Sequence, residues 1–263
     1  MPTVRPPAVA GTFYPADAHQ LKSMVEAYLQ PALKRASGPS PKALIAPHAG
    51  YIYSGPVAAS GYATLWQARD TITRVVLIGP SHRVPFLGLA ATTADLFETP
   101  LGEVTVDREA VQYALELAQV RILEEAHALE HSLEVHLPFL QIVLPRFYLV
   151  PVVVGDASAR EVADVLERLW GGSETVIIVS SDLSHYYDYH TAQTMDRATS
   201  LAIQGLQPEA IGYEQACGRI PVNGLLVAAR NHGLHGNVLD LRNSGDTAGP
   251  RDQVVGYGAY AFG

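Results

Sequence analysis

The stretch RVVLIGPSH, residues 74–82, carries the pattern that decides the fold: a short apolar run, then glycine and proline, then a histidine. The same order recurs in ALIAPH, residues 43–48, and in TVIIVSSDLSH, residues 175–185. Continuous apolar runs of this length are typical of strands in a parallel sheet that is covered on both faces. The chain therefore contains at least three candidate core strands, each of which leads into a histidine.

Helix-like segments alternate with these and other strands along all 263 residues. This alternation predicts an α/β fold with a central, mostly parallel sheet flanked by helices. No linker or internal repeat divides the chain, so we expect one domain over residues 1–263. The predicted strands are 43–46, 74–78, 148–154, 175–179, 238–241 and 254–262, with a hairpin or edge at 98–106. The predicted helices are 21–34, 57–67, 107–118, 129–143, 159–170, 190–203 and 222–231.

The composition excludes several classes of protein. Because 48% of the residues are hydrophobic, the chain is not disordered, and its apolar runs fall short of the roughly 20 residues of a membrane span. A net charge of −8 argues against nucleic acid as the main partner, although it leaves room for a local basic pocket. The N-terminus lacks a signal-peptide pattern, and the single cysteine, Cys217, allows no intrachain disulfide. We therefore expect a cytoplasmic protein without a membrane segment.

The histidines that follow the strands are the strongest functional signal. Ligand sites in parallel sheets lie beyond the carboxyl ends of the strands, so His48, His82 and His185 should meet at one edge. The strand at 238–241 would bring the carboxylate of Asp246 to the same edge. Imidazoles with a carboxylate suit zinc, iron, copper or nickel, and two histidines with one carboxylate are typical of non-haem iron(II). One histidine could instead serve as an acid or base, and the alternative for each is a local capping role.

The segment EHSLEVHLP, residues 130–138, adds further candidates. In a helix His131 and Glu134 would share a face, whereas His136 would point about 140° away from His131. This spacing is not that of the HExxH zinc motif, so a zinc protease is excluded. The open alternatives are a solvated helix start or residues that orient ligands or bind substrate.

Tyr51 and Cys217 are weaker candidates. Tyr51 belongs to a set of tyrosines beside the histidines that could wall a pocket for a planar ligand, or simply pack in the core. A lone cysteine is usually an inert buried residue, and Cys217 would need a base and a lowered pKa to act as a nucleophile.

The order of several motifs resembles the Memo family, whose members are also labelled AmmeMemoRadiSam system protein B. The motifs are VAGTFYP, APHAGYIYSGPVAA, GPSH, TPLGEV, EHSLEVHLPFLQ, SSDLSHY, CGR and NSGD, spread over residues 9–262. This family is similar in fold to class III extradiol ring-cleaving dioxygenases, which use non-haem iron. The resemblance therefore implies the same α/β fold and, as partners, an AMMECR-like protein and a radical SAM enzyme of the same pathway.

The resemblance also implies roles for individual residues. His48 and His82 would be iron ligands, His185 the acid/base histidine, and Asp182 a residue that orients His185 or binds substrate. The third ligand of the eukaryotic Memo protein is a cysteine, and Thr247 stands at that position here, so Asp246 becomes the expected substitute.

Three functions remain open from the sequence. The first is a metal-dependent oxidoreductase of dioxygenase type with a divalent metal, iron before copper or zinc. The second is a non-catalytic metal-handling or peptide-binding module that reuses the ancestral pocket. The third is a hydrolase with a metal-activated water.

Overall fold

The computed structural model describes residues 2–263, in which strands and helices alternate. The helices are α1 Ala18–Leu33, α2 Tyr51–Tyr62, α3 Arg108–Ala114, α4 Glu124–Ala128, α5 Leu137–Val143, α6 Ala159–Arg168, α7 Tyr189–Gln204 and α8 Arg219–Asn231. The strands are β1 Val4–Arg5, β2 Ala43–Ala46, β3 Arg74–Pro80, β4 Leu89–Ala91, β5 Leu96–Thr99, β6 Gly102–Thr105, β7 Val120–Ile122, β8 Tyr148–Val154, β9 Thr175–Ser180, β10 His185–Tyr187, β11 Gly236–Asn243 and β12 Val254–Phe262. Single 3₁₀ segments lie at Ala63–Ala68, Glu134–His136, Pro208–Ala210 and Ser244–Asp246.

The main sheet has the strand order β10-β12-β2-β9-β3-β8-β4-β7, and β11 pairs with β12 beside this path. Its middle strands β2, β9, β3 and β8 are parallel, with Ile78 of β3 between Val179 of β9 and Val152 of β8. All three side chains are buried, as expected for a sheet covered on both faces. The predicted α/β fold is confirmed. The outer pairings of β12 with β2 and of β4 with β8 are antiparallel, so the sheet is parallel at its centre and mixed at its edges.

Two groups of helices cover the sheet. Helices α6 and α8 pack together, with α8 against β3 and β9, while α1, α2 and α5 form a second group in which α2 packs on β2 and β12. The strands β1, β5 and β6 make a separate small sheet that contains the predicted hairpin. No helix within residues 2–263 is long and apolar enough to cross a membrane.

Most sequence-predicted elements are present, and several strands have the predicted bounds: Ala43–Ala46, Tyr148–Val154 and Val254–Phe262. Asp107 caps α3, because its carboxylate accepts the amide N–H of Ala110, but this helix ends at Ala114 rather than near residue 118. Helix α2 begins at Tyr51, earlier than predicted, and a 3₁₀ segment follows it.

The continuous helix predicted over residues 129–143 is wrong. Residues 129–133 form a turn, followed by the 3₁₀ segment Glu134–His136 and helix α5. The physical reason is that side chains take the backbone groups a helix would use. The Glu130 carboxylate accepts the amide N–H groups of His131 and Ser132, and Arg5 donates to the carbonyl oxygens of His127 and Glu130. His131 and Glu134 therefore do not share a helix face.

Candidate metal centre

Three histidines meet where the parallel strands end. His48 follows β2, His82 follows β3, and His131 lies in the turn before α5. One ring nitrogen from each lies within 4.8 Å of the others, and the ring centroids of His82 and His131 are 4.6 Å apart. This spacing allows the three imidazoles to share one metal ion.

Hydrogen bonds fix the orientation of the His48 ring. The Ser180 hydroxyl donates to the carbonyl oxygen of Ser132 at 2.6 Å, so it must accept the Nδ1–H of His48, also at 2.6 Å. This assignment places the lone pair of His48 on Nε2, the nitrogen that a ligand could use. Burial, and then the neighbouring His82, hold the pKa of His48 well below its ordinary value, so the ring is neutral.

A glycine makes the Ser180 contact possible. A Cβ atom at Gly79 would lie 2.9 Å from Ser132 Oγ and 3.0 Å from Ser180 Cβ, which is closer than side-chain atoms approach. The glycine of the GPSH motif therefore lets β3 approach the two serines that hold His48.

The His82 ring is held by Glu130. Its Nδ1 atom is 2.9 Å from Glu130 Oε1, and the His82 amide N–H donates to Oε2 at 2.6 Å. Burial alone would raise the pKa of Glu130, but the hydrogen bonds from His82 and the backbone outweigh it and hold the pKa at about 2. The ionised Glu130 accepts a hydrogen bond from the Nδ1–H of His82, which leaves the lone pair of the ring on Nε2.

The His131 ring completes the group. Phe13 packs against it with ring centroids 4.6 Å apart, and burial, outweighing the opposite effect of Glu130, lowers the pKa of His131 to about 4. Its Nδ1 atom is buried and has no hydrogen-bond partner among the described residues, although Glu130 Oε1 lies 3.3 Å away. Converging imidazoles with His48 and His131 neutral, together with a buried nitrogen that lacks a partner, form a donor set that fits zinc, iron or copper.

The histidines open into a pocket of about 940 Å³. Besides the three histidines, its walls include His185, Asp182, Cys217 and the tyrosines Tyr53, Tyr186, Tyr213 and Tyr257. A cavity of this size is in the range that accepts a small molecule.

His185 reaches this pocket from the start of β10. Its Nδ1 lies 2.9 Å from the carbonyl oxygen of Leu183, which can only accept, so Nδ1 carries the proton and Nε2 has the lone pair. Tyr186, the next residue, has φ 63°, a left-handed conformation that tyrosine rarely adopts. The carbonyl group of Leu183 therefore orients His185, and the structure describes no hydrogen bond between Asp182 and His185.

Asp182 and Cys217 both touch His48. Asp182 Oδ1 accepts the amide N–H of His48 at 2.8 Å, and Cys217 Sγ lies 3.4 Å from His48 Nε2. Burial raises the pKa of Asp182. Burial and then the nearby Asp182 raise the pKa of Cys217. The thiol is therefore neutral, so Cys217 lacks the lowered pKa of a nucleophile.

The structure does not bring Asp246 to the three histidines. Asp246 is exposed and outside the pocket wall. Its carboxylate accepts the Tyr189 hydroxyl at 2.6 Å and the Asn243 amide at 3.1 Å, which ties it to its own turn. Thr247 also lies outside the wall, with its hydroxyl donating to Ser244 O. The residue that the structure groups with His48 and His82 is His131.

Glu134, His136 and Tyr51 are buried but do not line the pocket. Glu134 accepts hydrogen bonds from Arg5, from the Ala8 and Val9 amides and from the Tyr14 hydroxyl. His136 pairs with Tyr62 at 2.7 Å, and burial lowers its pKa to about 3. The Tyr51 hydroxyl donates to Val135 O at 2.5 Å. These residues fix the segment that follows His131, so they stabilise the site without lining the pocket.

Sequence reasoning missed the residues that orient the ligands. Glu130, Ser180 and Arg5 all contact the histidines or their turn directly, and no role in the site was predicted for any of them. Their positions in the sequence were the available signal for two of them: Glu130 directly precedes His131, and Ser180 lies in the SSDLSH stretch that ends in His185.

Comparison with known proteins extends over nearly the whole chain. The profile of the family described as "Memo-like protein" matches residues 5–261. A MEMO1 family protein of Ignicoccus hospitalis is 39% identical over 289 residues, covering 98% of both chains. A MEMO1 family protein of Aeropyrum pernix is also 39% identical, over 280 residues, covering 97% of this chain and 98% of its own.

One solved structure has a similar fold at much lower identity. The uncharacterized protein JW3007 from Escherichia coli K12 superposes with a TM-score of 0.55 at 14% identity, covering 82% of this chain and 98% of its own. At this identity the likeness concerns the fold alone.

Proposed function

Because this chain belongs to the Memo-like protein family, we propose that its pocket binds one divalent transition metal ion through His48, His82 and His131. Imidazole suits iron(II), copper and zinc, and we take iron(II) first because the resemblance to the ring-cleaving dioxygenases implies it. The observation that carries the proposal is the convergence of three imidazoles, two of which have Nδ1 engaged by a hydrogen-bond acceptor. Acceptors placed behind the rings are how proteins orient histidine ligands.

We further propose that the protein is an oxidoreductase of dioxygenase type acting on a small phenolic compound. Bound iron would supply Lewis acidity and redox chemistry at the floor of the pocket. The free Nε2 of His185 would accept the proton of a substrate hydroxyl, because Leu183 occupies the opposite nitrogen. Asp182 would hold the His48 backbone in place, and the buried Tyr257 would limit access of water.

The test of metal binding is metal content after anaerobic purification and reconstitution with iron(II). We expect about one ion per chain for the wild type. His131→Ala should lose the ion, because only two of the three histidine ligands would remain. Asp246→Asn and the exposed His19→Ala are the matched controls, and both should keep the ion. Retention in His131→Ala together with loss in Asp246→Asn would reject the proposed ligand set.

The test of catalysis is oxygen uptake by the reconstituted protein with catechol and related phenols. Turnover supports the oxidoreductase. A protein that holds one iron per chain and consumes no oxygen would instead be a metal-binding module, the second function that the sequence left open.

A further inference from the structure

Arg83 and Arg219 line the same pocket as the three histidines. Among residues 2–263, neither guanidinium is within hydrogen-bond or ion-pair distance of a carboxylate, whereas Arg74 and Arg168 each hold one. A guanidinium group in a pocket wall that pairs with no protein carboxylate is available to an anion from solution.

The pocket wall is less acidic than the protein as a whole. The whole chain carries −8, yet Arg83 and Arg219 stand in a wall whose acidic members are Asp182 and Glu214. Asp182 already accepts the amide N–H of His48, and Glu214 is exposed and accepts the Tyr187 hydroxyl at 3.2 Å. Two bases and two acids therefore balance in the wall, and the two guanidiniums, which have no carboxylate partner, are the groups that can attract a small anion.

Tyr213 gives Arg219 a defined position. The guanidinium carbon of Arg219 lies 5.4 Å from the centroid of the Tyr213 ring, within the range of a cation–π contact. Arg219 also borders a second cavity of about 270 Å³ that shares Ser81 and Cys217 with the main pocket. Arg219 therefore lines both cavities.

The same walls offer aromatic surface. Tyr186 and Tyr213 are 71% and 78% exposed, so both rings are open to a ligand at the mouth, while Tyr53 and Tyr257 line the interior. Planar rings of this kind pack against a flat apolar group.

We propose that the pocket binds a small aromatic anion, with its carboxylate or phosphate group at Arg219 and Arg83 and its ring against the tyrosines. The inference deepens the proposed function, because it names the class of substrate and shares its pocket. It does not require that the metal be bound, since neither arginine belongs to the ligand set.

The experiment measures binding of benzoate and of its neutral analogue benzamide by calorimetry, on metal-free and metal-loaded protein. We expect benzoate to bind more tightly than benzamide in both forms. Arg219→Gln and Arg83→Gln should weaken benzoate by roughly 10-fold to 100-fold each and leave benzamide unchanged, because a hydrogen bond to a charged group is lost. Arg146→Gln, exposed and outside the pocket, is the control and should change neither affinity.

Inorganic phosphate, added as a competitor, separates the two anion types. Displacement of benzoate would assign the subsite to oxyanions in general, and absence of displacement would narrow it to carboxylates. Equal affinities for benzoate and benzamide, or a benzoate affinity unaffected by both substitutions, would overturn the proposal. Metal content measured on the same variants should equal that of the wild type, so failure here is distinguishable from failure of the metal site.

Discussion

His82 and Glu130 are joined twice: the ring Nδ1 of His82 lies 2.9 Å from Oε1, and its amide N–H donates to Oε2 at 2.6 Å. The same carboxylate accepts the amides of His131 and Ser132. One buried acid thus sets both the ring of His82 and the backbone of His131.

Glu130→Gln should weaken metal binding by roughly 10-fold to 100-fold, because the residue that orients two ligands loses its charge. The measurement is a competition titration with a chelator of known affinity. Glu161→Gln, which alters an acid at the start of α6, is the control and should leave the affinity unchanged. An unaltered affinity in Glu130→Gln would show that the carboxylate has no part in orienting His82.

His185→Gln should keep the metal and lower phenol turnover by roughly 100-fold to 10,000-fold, the usual cost of losing an acid/base group. Metal content and oxygen uptake are measured on the same sample. His190→Gln, an exposed histidine at the start of α7, serves as the control. Loss of the metal would make His185 a ligand, and unchanged turnover would remove it from the reaction.

Arg5→Met should lower the free energy of unfolding by about 3–5 kcal/mol, since it leaves the buried Glu134 carboxylate without its cation. Urea denaturation followed by circular dichroism measures this. Arg168→Met breaks the pair with the exposed Glu116 and should cost no more than about 1 kcal/mol. Equal losses in the two variants would contradict the special weight given to the buried pair.

Asp196 should make stability depend on pH. Burial raises its pKa to about 6, so between the ordinary value of 3.8 and about 6 the folded chain holds a proton that the unfolded chain has released. Stability contributed by this group therefore falls as pH rises through that window, by up to about 3 kcal/mol. Asp196→Asn keeps an acceptor for the Ser184 amide and should remove this slope.

Denaturation curves from pH 4 to pH 7 provide the comparison. The free energy of unfolding of Asp196→Asn relative to the wild type should increase with pH, while the exposed Asp164→Asn should follow the wild type throughout. A constant difference between Asp196→Asn and the wild type would mean that Asp196 titrates alike in both states.

The parallel centre of the fold could be predicted because its signal is local. Apolar runs such as Ala43–Ala46 and Tyr148–Val154 are typical of strands that are buried on both faces of a sheet, and both runs form such strands. The turn at residues 129–133 could not, because its conformation is set by Glu130 and by Arg5, which lies 125 residues from Glu130.

The site residues also separate into those with a local sequence signal and those placed by distant contacts. His48 and His82 follow strands and were predictable from strand-end geometry. His131 was placed on a helix that does not form. Asp246 was assigned to the edge where the histidines lie, but its hydrogen bond with Tyr189, 57 residues away, keeps it from that edge. Nothing in the spacing of the histidines reports such contacts.

The pairing of Arg5 with Glu134 has a consequence for synthesis, since the two residues are 129 positions apart in the chain. At about 5–20 residues per second, Arg5 is added to the chain about 6 to 26 seconds before its partner. His48 and His82 emerge in that interval without the turn that carries His131, and Ser180 follows later still. Capture of a metal ion is therefore expected as a late event in biogenesis, after most of the chain has been translated, and nascent chains halted before residue 130 should bind metal no better than an unfolded peptide.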